Sequence, residues 1–280
     1  MISFKNIKVE KLSSQGGKSK YLIDGKKCFA EEVALLHYKK EGYSGIWSEN
    51  SYWWMLLSLL FWHIIFAKLE GLIPYDSEEH MQFSGMPPDL FKEEFYERRK
   101  YLIRNRCQEL LMGDIIQKLI ESYEENYGKN CRLIEDWNAF SLDELVIPLK
   151  LVEKEKLLKI FHRLLSNFNN NRRGLPDLIL YNDNRFFFAE VKSENDKITE
   201  DQLKWHDFLS RLGFKVELVL INHTKKQIEN KKKIYKPGSG KVTIKFGYST
   251  SKYRGEAIKF IKKQRTYFTE GEGKEKIYGA

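Results

Sequence analysis

The chain has 280 residues, a formal net charge of +9, and hydrophobic and aromatic contents of 42% and 14%. This composition excludes a disordered chain and leaves room for one large domain or two smaller ones. Three isolated cysteines exclude a disulfide framework, and the six histidines have no metal-ligand spacing and are expected to be ordinary core or surface residues. Without a signal peptide or a P-loop, we expect a cytoplasmic protein, nucleoid-associated or nuclear if the source has such a compartment.

The N-terminal third is predicted to hold two segments of different character. Residues 1–30 alternate weakly between apolar and polar side chains, which predicts an N-terminal hairpin or ribbon. Residues 31–95 are predicted to form a helical region. Its apolar run from Tyr52 to Ala67 is marginal in length for a membrane span and is followed at once by charge, so a buried core helix is predicted.

Glu49 lies just before this buried helix. A carboxylate near the N-terminus of a buried helix either caps the helix dipole or binds a metal ion. From the residues alone, the capping role is favoured.

The middle of the chain is predicted to be helical. Residues 93–120 indicate a charged helix whose arginines, Arg99 and Arg106 among them, either line a DNA backbone or pair with glutamates on an exposed face. The exposed face is favoured. Lys154 to Phe168 has apolar residues at helical spacing and is predicted to pack against a sheet.

The most informative stretch begins at Gly174-Leu175-Pro176-Asp177 and continues into a predicted hairpin that ends in Glu190-Val191-Lys192. Side chains alternate along a strand, so Glu190 and Lys192 project from one face. Asp177 lies at the open end of the first strand, close to the line of the second. Two carboxylates and a lysine are therefore expected to converge.

This trio is appropriate for hydrolysis of a phosphodiester. Carboxylates bind Mg²⁺ or Mn²⁺, which lower the pKa of a bound water and offset charge in the transition state. The alternative is a surface strand with alternating charge, which is the commoner explanation of such a short pattern. Arg172 and Arg173 flank the stretch and either hold a phosphate or are exposed to solvent.

The residues that follow the hairpin predict a compact α/β unit. Thr199 and Gln202 have the spacing of a capping box at the start of a helix. The apolar run from Val216 to Ile221 predicts a buried strand, which a helical crossover would place parallel to its neighbour.

The stretch from Arg172 to Leu178, the Glu190–Ser193 segment and the Gln202 and Trp205 pair resemble the virus-type replication-repair nuclease (VRR-NUC) domain of the PD-(D/E)xK superfamily. The likeness is specific over residues 172–213. It extends more loosely over residues 31–222, where the chain is similar to the C-terminal part of the Fanconi-associated nucleases. It implies an α/β fold with a restriction-endonuclease-like core, in which a mixed sheet is flanked by helices.

The resemblance also implies a domain order and a set of roles. A helical region at 31–95 would contribute Glu49, and residues 96–222 would form the nuclease domain with a helical insertion. The implied Mg²⁺ or Mn²⁺ ligands are Asp177, Glu190 and the Val191 carbonyl, with Glu49 serving a second ion. Lys192 would position the water, and Gln202 would orient the site or cap its helix, or do both.

The implied activity is cleavage of branched or 5′-flap DNA during repair or replication. The helical region at about 95–168 implies a monomer, because it discourages the dimer that smaller members use. DNA is the expected partner, with a protein partner to supply specificity and no membrane. A four-way-junction resolvase, a restriction-like nuclease and a non-catalytic DNA-binding module on a nuclease fold are the alternatives.

Positive charge is concentrated in a basic C-terminal extension, predicted at 223–280. From Asn222 to the end, 16 Lys and Arg stand against 5 Asp and Glu, or +11, which leaves −2 for the remainder. Such a segment either binds nucleic acid through its phosphates or is a solvated tail, and the sequence favours neither.

Overall fold

The computed structural model describes residues 2–12, 19–69 and 84–235. The basic extension expected at 223–280 is therefore described only as far as residue 235. The strand expected near 241–247 and the helix expected near 255–264 lie outside the described residues.

The strands of the described residues form two sheets. The strands are Ile2–Ile7 (β1), Glu10–Lys11 (β2), Tyr21–Ile23 (β3), Lys26–Cys28 (β4), Ser44–Trp47 (β5), Leu178–Asn182 (β6), Arg185–Lys192 (β7) and Val216–Ile221 (β8). The larger sheet has five strands in the order β1-β8-β7-β6-β5, and the smaller has the order β2-β3-β4. The segment expected to form one N-terminal hairpin or ribbon thus divides between the two sheets.

The larger sheet is mixed. β6 and β7 form the predicted antiparallel hairpin, and β8 lies parallel to β7 as predicted. β5 pairs antiparallel with β6 at one edge, whereas β1 pairs parallel with β8 at the other.

Helices cover both faces of this sheet. They are Ala30–Lys40 (α1), Glu49–Leu60 (α2), Trp62–Ile65 (α3), Glu94–Met112 (α4), Ile115–Asn126 (α5), Leu142–Leu151 (α6), Lys154–Ser166 (α7), Phe168–Asn171 (α8), Glu200–Arg211 (α9) and Lys225–Ile234 (α10). Ile179 and Phe188 belong to the core shared with α2 and α4 to α7. Leu178 and Val191 belong to the core shared with α1, so the side chains of the sheet alternate between two apolar layers.

Helix α2 is buried along most of its length, as its apolar sequence predicts. Trp53 is fully buried and its ring lies 5.8 Å from that of Phe188, on the central strand. Leu56 and Leu60 are also inaccessible to solvent. No helix among the described residues is long and apolar enough to cross a membrane.

Two arginines of α4 are buried, which corrects the expectation of an exposed, charged face. Arg99 Nη1 lies 2.8 Å from Asp89 Oδ2, and its Nε donates to the Ile64 carbonyl. Arg106 donates to the carbonyl of Leu60, the last residue of α2. The helical spacing places both arginines on the apolar face, so their bonds attach α4 to α2 and α3.

Candidate active site

Asp177 lies where β6 begins and is held from two sides. Its backbone carbonyl accepts hydrogen bonds from the amides of Ser48 and Glu49, at 2.9 and 3.1 Å, where α2 begins. Its carboxylate Oδ2 accepts from the Val191 amide of β7 at 2.7 Å. Strands β6 and β7 and helix α2 therefore meet at Asp177.

Glu190 and Lys192 share a face of β7 and are both buried. Glu190 is 0% exposed, and its Oε1 lies 2.7 Å from Lys192 Nζ. The Gln202 amide nitrogen donates to the same oxygen at 2.6 Å. The structure thus brings Asp177, Glu190, Lys192 and Gln202 to one end of the β6–β7 hairpin.

The electrostatics of this cluster are dominated by burial and by its negative charge. Burial, reinforced by the charge of Glu190, raises the pKa of Asp177 well above its usual value. Burial opposes the charged form of Lys192, but the neighbouring Glu190 and then Asp177 outweigh it, so the pKa of Lys192 is raised. Two acidic groups and one ammonium therefore share a poorly solvated site, which favours binding of a further cation.

The Gln202 side chain makes the contacts that both of its predicted roles require. Its Oε1 accepts from the Thr199 amide at 2.9 Å, which completes the capping box of α9. Its Nε2 donates to Glu190, so one side chain joins the start of a helix to the central strand. This amide fixes the orientation of the Glu190 carboxylate.

His206 is a neighbour of Glu190 that the sequence analysis missed. It is fully buried, and its Nε2 lies 3.4 Å from Glu190 Oε2. Its Nδ1 lies 2.8 Å from the Tyr235 hydroxyl, and the two rings stack. The signal was the spacing from Gln202, because residues four apart on a helix face the same side.

Glu49 lies beside Asp177 through the backbone, but its side chain turns elsewhere. It is exposed, and its Oε1 accepts from the Trp47 indole at 2.9 Å. Its φ of 39° is in the left-handed region, which is unusual for glutamate and marks local strain. Among the described residues no three His, Cys, Asp or Glu side chains are grouped to hold a metal ion, so Glu49 does not complete a set with Asp177 and Glu190.

Arg172 and Arg173 precede the site and differ in environment. The Arg172 guanidinium lies 4.9 Å from the centre of the Phe91 ring, and burial lowers its pKa. Arg173 is exposed. Of the two, Arg173 is the one that presents its side chain to solvent.

The loop between α8 and β6 is held by two indoles. Trp205 donates to the Asn171 carbonyl at 2.9 Å, and Trp54 donates to the Arg172 carbonyl at 3.0 Å. Gly174 has a φ of +90°, and a Cβ at this position would lie 2.5 Å from the Asp201 carbonyl carbon. The loop and the first turn of α9 therefore pack backbone against backbone.

Two observations indicate that these residues are suited to bind a divalent cation. Within the described part of the chain, Oε2 of Glu190 is buried and has no hydrogen-bond partner. Asp177 and Glu190 place two carboxylates in a poorly solvated site, and oxygen donors are the ligands that Mg²⁺ and Mn²⁺ prefer. The amide and the carbonyl of a strand residue point toward the same neighbouring strand. Because the Val191 amide contacts Asp177, the Val191 carbonyl lies on that side of β7 as well.

A mixed sheet flanked by helices, with an aspartate at the start of one strand and a Glu-x-Lys sequence at the end of the next, is the arrangement of the PD-(D/E)xK nuclease fold. Residues 112–220 match the family model of the VRR-NUC domain. The chain therefore contains a VRR-NUC domain.

Two curated relatives illustrate the similarity. The chain is 32% identical to the Fanconi-associated nuclease 1 homolog of Arabidopsis thaliana over 206 residues, which cover 71% of this chain and 22% of that protein. It is 31% identical to human Fanconi-associated nuclease 1 over 200 residues, which cover 68% and 19%. The chain thus spans about a fifth of the length of these relatives.

A solved structure shares the fold. The crystal structure of paFAN1 bound to DNA with a 2-nucleotide 5′ flap and a gap superposes with a TM-score of 0.66 at 23% identity. The superposition covers 80% of this chain and 38% of that one.

Proposed function

We propose that this protein is a metal-dependent deoxyribonuclease that hydrolyses phosphodiester bonds in branched or 5′-flap DNA during repair or replication. The observation that carries the proposal is the meeting of Asp177, Glu190 and Lys192 at one end of the β6–β7 hairpin, where Glu190 and Lys192 are buried and Asp177 is half-buried. The names of the relatives and the flap DNA bound by paFAN1 support DNA as the substrate.

In this proposal Asp177, Glu190 and the Val191 carbonyl hold Mg²⁺ or Mn²⁺, and Glu49 serves a second ion after its side chain leaves the Trp47 indole. The bound ion supplies Lewis-acid stabilisation of the phosphate and makes water more acidic. Residues 96–222 act as the nuclease domain, and residues 31–95 contribute Glu49.

The remaining residues position the reactants. The Lys192 ammonium, held by Glu190, orients the attacking water and stabilises negative charge on the phosphate. Gln202 keeps the Glu190 carboxylate in place, so that its other oxygen is directed away from the amide. Arg173, together with Arg172 after release from Phe91, binds a neighbouring phosphate.

The enzyme acts as a monomer in this proposal, with a protein partner that adds substrate specificity. The helical segment α4 to α7 buries its apolar residues in the same core as the sheet. A monomer cuts one strand at a time, whereas resolution of a four-way junction needs two symmetric sites.

The test compares Asp177→Ala with a matched control, Asp183→Ala. Asp183 is exposed in the turn between β6 and β7, so the control makes the same substitution at the far end of the same hairpin. Labelled flap, fork, four-way-junction and single-stranded DNA are incubated with Mg²⁺, Mn²⁺ or a chelator. We expect Asp177→Ala to lose cleavage by about 100-fold or more, while its thermal midpoint and DNA affinity match those of the control.

Three outcomes contradict the proposal. Equal cleavage by the two variants removes Asp177 from the site. Cleavage that persists in chelator removes the metal. Tight, salt-dependent DNA binding without any cleavage by the unmodified protein identifies a non-catalytic module instead.

A further inference from the structure

Helix α10 is fixed against the candidate active site although it follows the segment that matches the VRR-NUC model. Gln227 donates to the Glu194 carbonyl at 3.2 Å, and Lys231 Nζ donates to the Asp196 carbonyl at 2.7 Å. Beyond the end of α10, the Tyr235 hydroxyl contacts His206. Gln227 and Lys231 are four residues apart, so a single face of the helix rests on the loop that follows Lys192.

The opposite side of α10 is strongly basic. The helix carries five lysines against one glutamate, a net charge of +4. Lys225, Lys226, Lys232 and Lys233 are exposed, and Lys232 pairs with Glu229. A positive, exposed helix in this place lies within the electrostatic field of the site.

Lys231 differs from the other lysines of α10 because it is directed inward. Burial and the positive charge of Lys192 lower its pKa. The positive charge of Lys192 repels the Lys231 ammonium, whereas Asp196 attracts it. An anion beside Lys231 would offset the repulsion and would replace part of the lost solvation.

A phosphate is the anion that meets these requirements. A lysine ammonium has three donors, and Lys231 uses one on the Asp196 carbonyl. The Asp196 carboxylate accepts from the amide and hydroxyl of Ser193, which holds the loop in one conformation. The position of the Lys231 ammonium is thus set by a loop that begins directly after Lys192.

We propose that α10 is a contact surface for the DNA sugar-phosphate backbone, and that Lys231 binds a phosphate adjacent to the scissile one. The exposed lysines Lys226 and Lys233, seven residues apart, lie on the outer side of α10, roughly 150° around the helix from Lys231, and attract the DNA backbone through their charge rather than by contacting the same phosphate. This surface rests on the proposed nuclease function, since it names where the substrate of that site lies.

The test uses Lys231→Gln and the double variant Lys226→Gln/Lys233→Gln. The matched control is Lys39→Gln/Lys40→Gln, which removes two charges at the end of α1. Helix α1 ends at Lys40, shortly before β5 begins at Ser44. The other end of β5 pairs with Leu178, next to Asp177, so the control lies at the end of the sheet opposite the candidate site. Binding of 5′-flap DNA is measured by fluorescence anisotropy in the presence of Ca²⁺, at salt concentrations from about 50 to about 200 mM. Cleavage is measured separately with Mg²⁺.

We expect Lys231→Gln to weaken binding about five- to tenfold and to make the slope of log affinity against log salt concentration shallower by about one. We expect the α10 double variant to make this slope shallower by about two, and the α1 control to change the affinity less than about twofold. Thermal midpoints verify that every variant is folded.

If the unmodified protein cleaves flap DNA but the α10 variants bind like the α1 control, the surface is wrong and the nuclease assignment stands. An equal loss in all variants indicates a general charge effect and also removes the surface. If the unmodified protein neither binds nor cleaves DNA, both proposals fail.

Discussion

At the scale of single residues, hydrogen-bond donors from three directions hold the two acidic side chains of the candidate site. The Val191 amide binds Asp177, while Lys192 and Gln202 bind Glu190. Buried ion pairs contribute little stability compared with apolar residues of the same volume. Such a cluster therefore indicates function, because a protein selected for stability alone would fill this space with hydrophobic side chains.

Glu49→Gln is expected to slow cleavage about tenfold or more without changing the thermal midpoint. Glutamine retains an oxygen for the Trp47 indole but has no charge with which to bind a cation. The measurements are single-turnover cleavage and the Mn²⁺ concentration that gives half the maximal rate. Glu94→Gln is the matched control, since Glu94 is also exposed and is also the first residue of its helix. Identical rates for the two variants would assign Glu49 a structural role.

The sequence contained enough information to bring Asp177, Glu190 and Lys192 together, because a hairpin and a period of two fix their relative positions. It did not identify His206, since a lone histidine on an apolar helix face has the pattern of a core residue. Its proximity to Glu190 depends on how α9 crosses the sheet. Nor could the exposed orientation of the Glu49 side chain be predicted, because it depends on a local φ of 39°.

At the scale of elements, the site depends on how closely α9 approaches the loop before β6. The Gly174 backbone contacts the first turn of α9, and that turn carries Gln202, which binds Glu190. Trp205 from the same helix binds the Asn171 carbonyl. A displacement of α9 would therefore disturb the Glu190 carboxylate directly.

Gly174→Ala is expected to lower the thermal midpoint and to slow cleavage. The new Cβ would lie 2.5 Å from the Asp201 carbonyl carbon and 2.7 Å from the Gln202 nitrogen, so α9 must move. Gly25→Ala is the control, because Gly25 also has a positive φ, of +76°, but open space around its Cβ position. The control carries only the backbone strain, about 1–3 kcal/mol, and retains activity. Equal losses of stability and full activity in both variants would contradict the close packing of α9.

Local elements were predictable, whereas the distant pairing was not. The β6–β7 hairpin and the parallel β8 follow from turn residues, apolar runs and a helical crossover. The parallel pairing of β1 with β8 has no local signal, since Ser3 and Glu217, which are bonded across it, are separated by 214 positions. The burial of Arg99 was missed because its partner Asp89 lies in a turn outside α4, 10 positions earlier in the chain.

At the scale of the whole molecule, histidines that are at least half-buried connect folding to pH. His162, on α7, has its Nε2 2.9 Å from the Tyr96 hydroxyl of α4, and burial lowers its pKa below the ordinary 6.5. The unfolded chain therefore binds a proton more readily than the folded one. The stability contributed by the neutral histidine is complete above pH 6.5 and is lost as the pH falls through 6.5 toward the lower folded-state pKa.

The thermal midpoint is accordingly expected to fall between pH 7.5 and 5.5, and His162→Gln is expected to make this decline shallower. Glutamine remains neutral throughout and can still bond to Tyr96. Differential scanning calorimetry across this range measures both slopes. A decline of the same steepness with and without His162 would place the pH sensitivity elsewhere.

The order of the strands limits how this chain can be shortened. Residues 112–220 supply β6, β7 and almost all of β8, but β1 and β5 flank them and come from the first 47 residues. A fragment cut to 112–220 would bare two rows of backbone amides and carbonyls, and such edges recruit other chains into aggregates. It would also lose Glu49 and the helix that begins there. The stretch that sequence comparison delimits is thus smaller than the piece of polypeptide that has to fold as a unit.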